Sequence, residues 1–315
     1  MRRKLLILAG IMIAMSAISV AFTSLTRTTF NTQKNKITVV TSFYPIYVVT
    51  KNIVSDIDSI ELINLAENQT GCLHDYQLTT QDMRKLENAD IFVINGGGIE
   101  EFATDILKSY PNIKVIDSST GVEFLSSTQE HSHEEEEHEE EHEHEELNPH
   151  IWLDPGNYRK QIENIKNGLI KYDKENEKKY SENAYDYGEK IKELESELEG
   201  ELKAPKNKDI VIFHDSFAYL AKRLGLNVIH TVNIESDTSL SAGEIAEVIE
   251  EINLHKVKVL FSEEQYSNDT PLNIGKETNS NVYVIDSLVI NDGDENSYIE
   301  GMKKNIKTLK KALYE

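Results

Sequence analysis

From residue 37 onward, short runs of aliphatic and β-branched residues alternate with stretches whose apolar positions recur every three or four residues. The runs Ile37–Thr41, Ile60–Ala66, Asp90–Asn95 and Lys114–Asp117 predict strands, and the stretches 45–57, 79–88 and 98–109 predict helices. Strand–helix alternation of this kind predicts a parallel sheet covered on both faces. At Asp154-Pro155 a side chain able to cap is followed by proline at the first helical position, so a helix is expected to about Tyr172. Beyond Asp173, Tyr180, Ala184, Tyr187, Ile191, Leu194 and Leu198 recur at spacings of three or four. They predict a second helix to about Lys203, roughly 45 Å long at 1.5 Å per residue, ended by Ala204-Pro205. The alternation then restarts with Asp209–Phe213, Asn227–His230, Val257–Phe261 and Asn281–Ile285. Helices are expected between them near 216–224, 241–254 and 270–278, and a last one over about 295–313. The predicted fold is α/β, with two (β/α) lobes of four strands each joined by one long helix.

This pattern divides the chain into an N-terminal lobe over 37–155, linking helices over 156–204, and a C-terminal lobe with a closing helix over 205–315. Ahead of the lobes, Met1-Arg2-Arg3-Lys4 is basic and Leu5 to Phe22 is uncharged and mostly apolar. Residues 1–27 therefore predict a signal peptide or an N-terminal membrane anchor, followed by a polar linker over 28–36. The basic end stays inside in either case, which places the remainder outside the cytoplasm, touching membrane only through this segment.

The formal charge of −22 is largely local, because residues 129–146 hold eleven Glu and no Lys or Arg; without them the charge is −11. Nucleic acid is excluded as a partner, since phosphate binding needs clustered Lys and Arg. The 129–146 tract also holds His131, His133, His138, His142 and His144. Like charges without apolar residues predict a self-repelling, disordered loop whose imidazoles bind metal weakly and could gather or sense it. His138 and His142 satisfy a H-E-x-x-H spacing, but that motif needs a packed helix, and in a His/Glu tract the match arises by chance. With Cys72 as the single cysteine, disulfides play no part, and lobes of about 120 residues can bury a core without them.

In open α/β sheets, ligands sit beyond the carboxyl ends of the strands. His74 follows the second strand by several residues, His214 directly follows Asp209–Phe213, Glu263 follows Val257–Phe261, and Asp286 directly follows Asn281–Ile285. His150 lies in the loop before the linking helices. Three imidazoles and a carboxylate drawn from both lobes could converge on the cleft between them, a set that zinc accepts tetrahedrally, whereas manganese favours more oxygen.

At these residues the chain resembles a known family. GCLHDYQLTTQDM (71–83), NPHIWLDP (148–155), FHDSFAYLAKRLG (213–225) and VYVIDSL (282–288) are similar to the zinc- and manganese-binding receptors of bacterial ABC importers, the cluster A-I substrate-binding proteins. NPHIWLDP is the most telling of these motifs, and the likeness runs from about residue 37 to the end. The resemblance implies a fold of two (β/α) lobes bridged by a long backbone helix, with the metal buried in the interlobe cleft. It implies His74, His150, His214 and Asp286 as ligands, and an ABC permease as the partner of a monomeric receptor. His at the third ligand position goes mostly with zinc in this family, and Glu often with manganese, so His214 implies Zn2+ with Mn2+ as the alternative. Two departures stand out: Leu73 occupies the place of a usual proline, and no cysteine for lipid attachment follows the apolar segment.

Asp75, Asp215 and Glu263 are candidates to accept ring N–H bonds from the ligand histidines, and Glu263 is also an alternative ligand to Asp286. Cys72 reads as a small buried hydrophobe rather than a thiolate ligand. Gly96-Gly97-Gly98 lacks phosphate-loop spacing and reads as a tight turn, while His230 and His255 read as structural. A zinc hydrolase would need three protein ligands, an open position and a general base; four protein ligands leave no place for the attacking water. No catalytic residue is therefore assigned. A surface adhesin with structural metal is the remaining alternative, and no motif supports it independently.

Overall fold

The structure is a computed structural model that describes residues 36–67, 71, 73, 76–127, 147–232, 240–290 and 293–315. The segment expected to be a signal peptide or membrane anchor, the expected linker up to Asn35, Cys72, His74, Asp75 and the His/Glu tract lie outside the described residues.

The N-terminal lobe is built on strands β1 (Ile37–Thr41), β2 (Ile60–Asn64), β3 (Ile91–Ile94) and β4 (Lys114–Asp117), in the order β2-β1-β3-β4 with every pair parallel. Helices α1 (Tyr44–Ile53), α2 (Thr80–Glu87) and α3 (Glu101–Ser109) connect them. A capping box between Thr79 and Asp82 starts α2, and the Tyr76 hydroxyl donates to Asp82 at 2.7 Å. Two short strands, β5 (Leu125–Ser126) and β6 (Leu147–Asn148), pair antiparallel. At two residues each they are too short to leave a hydrophobic period, so the sequence pattern does not reveal them.

Asp154 accepts the Asn157 N–H at 3.0 Å and, with Pro155, opens α4 (Pro155–Tyr172) as expected. The long helix α5 (Glu177–Glu201) follows a 3-10 turn and buries the stripe Tyr180, Ala184, Tyr187, Ile191, Leu194 and Leu198. The C-terminal lobe holds β7 (Asp209–Ile212), β8 (Asn227–Thr231), β9 (Val259–Glu263) and β10 (Asn281–Ile285), ordered β10-β9-β7-β8 and again parallel. Its helices are α6 (Ala218–Leu224), α7 (Ala242–His255), α8 (Asp269–Thr278) and the closing α9 (Ser297–Tyr314).

One strand departs from the pattern. Lys256 adopts the left-handed conformation (φ 56°), and the N–H groups of Lys256 and Val257 bond Asn253 and Ile252 carbonyls. Val257 thus belongs to the helix-ending motif of α7, β9 starts two residues later, and Glu263 closes the strand rather than following it.

The apolar core does not stop at the lobe boundary. A single cluster joins Val39, Ile46 and Val93 of the first lobe to Ile191 of α5 and to Ile210, Phe261 and Met302 of the second. Buried polar groups cross the same seam: Trp152 donates to the Ser287 carbonyl at 2.8 Å, and Tyr298 donates to the Trp152 carbonyl at 2.7 Å. Arg223 of α6 forks onto both Asp154 oxygens at 2.7 Å and also pairs with Glu195 and Glu199 of α5. A Cβ at Gly156 would lie 2.2 Å from the Arg223 guanidinium, so a larger residue there would push Arg223 off its present fork. These contacts couple the lobes firmly, and limited lobe closure is the physical expectation.

Candidate metal centre

Two imidazoles meet at the junction of the lobes. β7 delivers His214 in extended conformation (φ −164°, ψ 144°), just before the 3-10 turn Asp215–Phe217. His150 arrives from the opposite side, two residues after β6 and just before the 3-10 turn Ile151–Leu153. Both are 1% exposed, and their rings stand edge to face with centroids 4.8 Å apart.

Each ring is oriented through Nδ1. The His214 Nδ1–H donates to Glu263 Oε1 at 2.6 Å, and Glu263 is held in turn by the Ser216 hydroxyl and the Gln265 amide. His150 Nδ1 lies 2.9 Å from Asn148 Oδ1 and 3.3 Å from Asp215 Oδ1. A ring whose Nδ1 carries the proton toward an oxygen acceptor keeps its Nε2 lone pair for a metal, and an anionic acceptor raises its basicity. Asp215 Oδ1 is also 3.9 Å from His214 Nε2. His150, His214 and Asp215 offer ligand atoms within 4.8 Å of one another, and all three residues are buried. Ligand atoms sharing one tetrahedral zinc at bonds near 2.0–2.2 Å sit about 3.4 Å apart, so this group is on the scale of a single ion site.

The other expected residues are placed differently. Asp286 follows β10 and is half-buried. Its Oδ1 accepts the Leu288 N–H at 2.8 Å, and its backbone is held at both ends by Asn305 (2.9 and 2.7 Å). A Cβ at Gly301 would meet Leu288 at 2.3 Å and Asp286 Oδ2 at 3.6 Å, so glycine lets α9 pack onto this loop. Burial pushes the Asp286 carboxyl above its ordinary range, and the nearby Glu264 and Glu263 push the same way. Its carboxylate stands outside the group formed by His150, His214 and Asp215. Glu263 lies on the Nδ1 side of His214, behind the ring relative to a metal on Nε2. Leu73, where the family pattern has proline, is fully buried in the core. His230 bears on β8, and His255 ends α7 beside Glu251 at 3.5 Å, both away from the centre.

Asn148, Ser127, Tyr219 and Gln265 were not singled out from the sequence. Asn148 orients His150 and also donates to the Asp215 carbonyl at 2.9 Å, while Ser127 donates to Asp215 Oδ2 at 3.1 Å. The Tyr219 hydroxyl donates to the Asn148 carbonyl (2.6 Å) and accepts from the Leu125 N–H (3.0 Å); burial pushes its phenol up to about 12. Asn148 opens the stretch NPHIWLDP, and that place in the motif was the available signal.

The family described as zinc-uptake complex component A, periplasmic, matches residues 39–312. The chain is 31% identical over 296 residues to the high-affinity zinc uptake system protein ZnuA of Bacillus subtilis, covering 92% of each. Its fold superposes with a TM-score of 0.76 on the substrate-binding protein FpvC of Pseudomonas aeruginosa, solved with Mn2+, at 25% identity over 88% of this chain and 98% of the other. It also matches Zn(II)-bound AdcA of Streptococcus pneumoniae (TM-score 0.72, 26% identity, 89% of this chain), of which it spans 58%. The paired parallel sheets, the long linking helix and these matches together establish that the chain belongs to the family of zinc-uptake complex component A.

Proposed function

We propose that this protein captures zinc outside the cytoplasm and hands it to the permease of an ABC importer. One observation carries the proposal: two fully buried imidazoles, delivered by separate segments, each have Nδ1 committed to an oxygen acceptor and so keep Nε2 for one shared ion. In this reading His74, His150, His214 and Asp286 bind the ion. Asp286 does so by rotating off the Leu288 N–H, while Glu263 and Asp215 orient the histidines. Four protein ligands enclose the ion and leave no open position for a reacting water, which suits a carrier and not a hydrolase. The family description and the zinc-named relative support zinc as the cargo. The family description also supports the location, and no helix among the described residues is long and apolar enough to cross a membrane.

Manganese is the second reading. It is favoured by the two carboxylates Asp215 and Glu263 beside the imidazoles and by the Mn2+ bound in the FpvC structure. A competitive titration with zinc and manganese, on the chain with and without residues 129–146, separates the two. We expect one tight zinc site that survives removal of the tract and resists manganese. Tighter manganese binding would change the cargo, and loss of all tight binding with the tract would overturn the ligand set.

A further inference from the structure

We propose that Tyr266 is the retaining residue of the metal site: its ring spans the mouth of the cleft and sets how slowly a bound ion leaves. This rests on the reading of His214 as a metal ligand. Tyr266 follows β9 by three residues, and its ring meets the His214 ring edge to face, with centroids 5.9 Å apart. His214 is buried, whereas Tyr266 is half-buried. A ring that touches a buried ligand on one side and solvent on the other stands on the path between them. The far edge of the phenol reaches the other lobe, where a Cβ at Gly71 would lie 3.7 Å from its hydroxyl oxygen and 3.8 Å from Cε1. Gly71 precedes His74 by three residues in the chain, and the gap between Tyr266 and Gly71 is about one methyl group wide. The loop that carries the ring is tied down beside it, because Gln265 donates to Glu263 and to the Ser287 hydroxyl. An apolar plate held in this way hinders the passage of an ion in both directions, so it slows exchange rather than setting affinity.

The test is stopped-flow release of one equivalent of zinc into excess chelator, on the full chain and its variants. Tyr266→Ala is expected to speed release by about tenfold or more and association by a similar factor, so that zinc affinity stays within about threefold. Tyr266→Phe keeps the ring and should stay within about twofold of the parent rate. Gly71→Ala, which fills the gap at ordinary van der Waals distance, should not speed release. The apo melting temperature of the Tyr266 variants should move by no more than about 3 °C, and Tyr266→Val gives the same readout where the alanine variant does not fold. Slow release that is unchanged in both small variants overturns the proposal and leaves the site intact. Release from the parent chain within the mixing time overturns the site itself, and the proposal with it.

Discussion

Each lobe buries a glutamate beside the carboxyl end of its sheet, and the two serve different ends. In the N-terminal lobe Glu100 accepts the backbone N–H groups of Asn95 (2.7 Å) and Gly96 (3.1 Å), just beyond β3. In the C-terminal lobe Glu263 accepts from the His214 ring, the Ser216 hydroxyl and the Gln265 amide. Glu100 holds a turn together; Glu263 orients a candidate ligand. Burial pushes the Glu100 carboxyl up to about 7 despite its two backbone donors. The difference teaches that a buried carboxylate is defined by what donates to it. Backbone donors make it a structural brace, whereas an imidazole donor lets it act on whatever the far nitrogen binds.

The comparison breaks most visibly at the ring itself. His214→Ala removes the group that gives Glu263 its purpose. Losing one of four ligands costs about a quarter of the roughly 10–16 kcal/mol typical of a closed zinc site, or about 100- to 1,000-fold in affinity. A chelator-competition titration checks this. Glu263→Gln keeps the shape and removes the charge. It also sets an amide N–H against the Gln265 and Ser216 donors, so zinc affinity should fall by about 10- to 100-fold.

Glu100→Gln sharpens the contrast from the other side, because zinc affinity should stay within about twofold while the pH dependence of stability changes. The folded state holds the Glu100 proton up to about pH 7, and the unfolded chain gives it up near the ordinary glutamate value of 4.5. Stability from this group is therefore present below the lower value and lost as pH rises through the window. The loss is on the order of 3 kcal/mol across that pH window. Thermal melts of the metal-free protein between pH 4.5 and 7 should show that slope flattened in the variant. An unchanged slope would assign it to other groups.

Much of the fold was legible because it rests on periodicity. The α5 stripe from Tyr180 to Leu198 is buried at every predicted position, and eight runs of apolar residues became the eight strands of two parallel sheets. Where the pattern misled, local backbone chemistry had won: Val257 is apolar but serves the end of α7. His150 and His214 stood out because imidazoles next to strand ends or in a motif loop are rare, and the structure brings them together. Asn148, Gln265 and Arg223 were invisible as partners. Their long-range contacts (Arg223 to Asp154 and Glu195, Asn148 to Asp215, Gln265 to Ser287) join residues far apart in the chain, and no spacing encodes such pairs; only the short ones, Asn148 to His150 and Gln265 to Glu263, fall within a motif. Asp286 shows a further limit, since its place in the chain says nothing of the rotamer that turns it onto Leu288.

The central claim is that one zinc ion is held by imidazoles from both lobes together with carboxylate oxygen. X-ray absorption at the zinc edge, on the chain loaded with one equivalent, tests it directly. The account predicts three imidazole nitrogens and carboxylate oxygen around the metal, falling to two imidazoles in His214→Ala. An oxygen-dominated shell, or a shell identical in the parent and the variant, would contradict it.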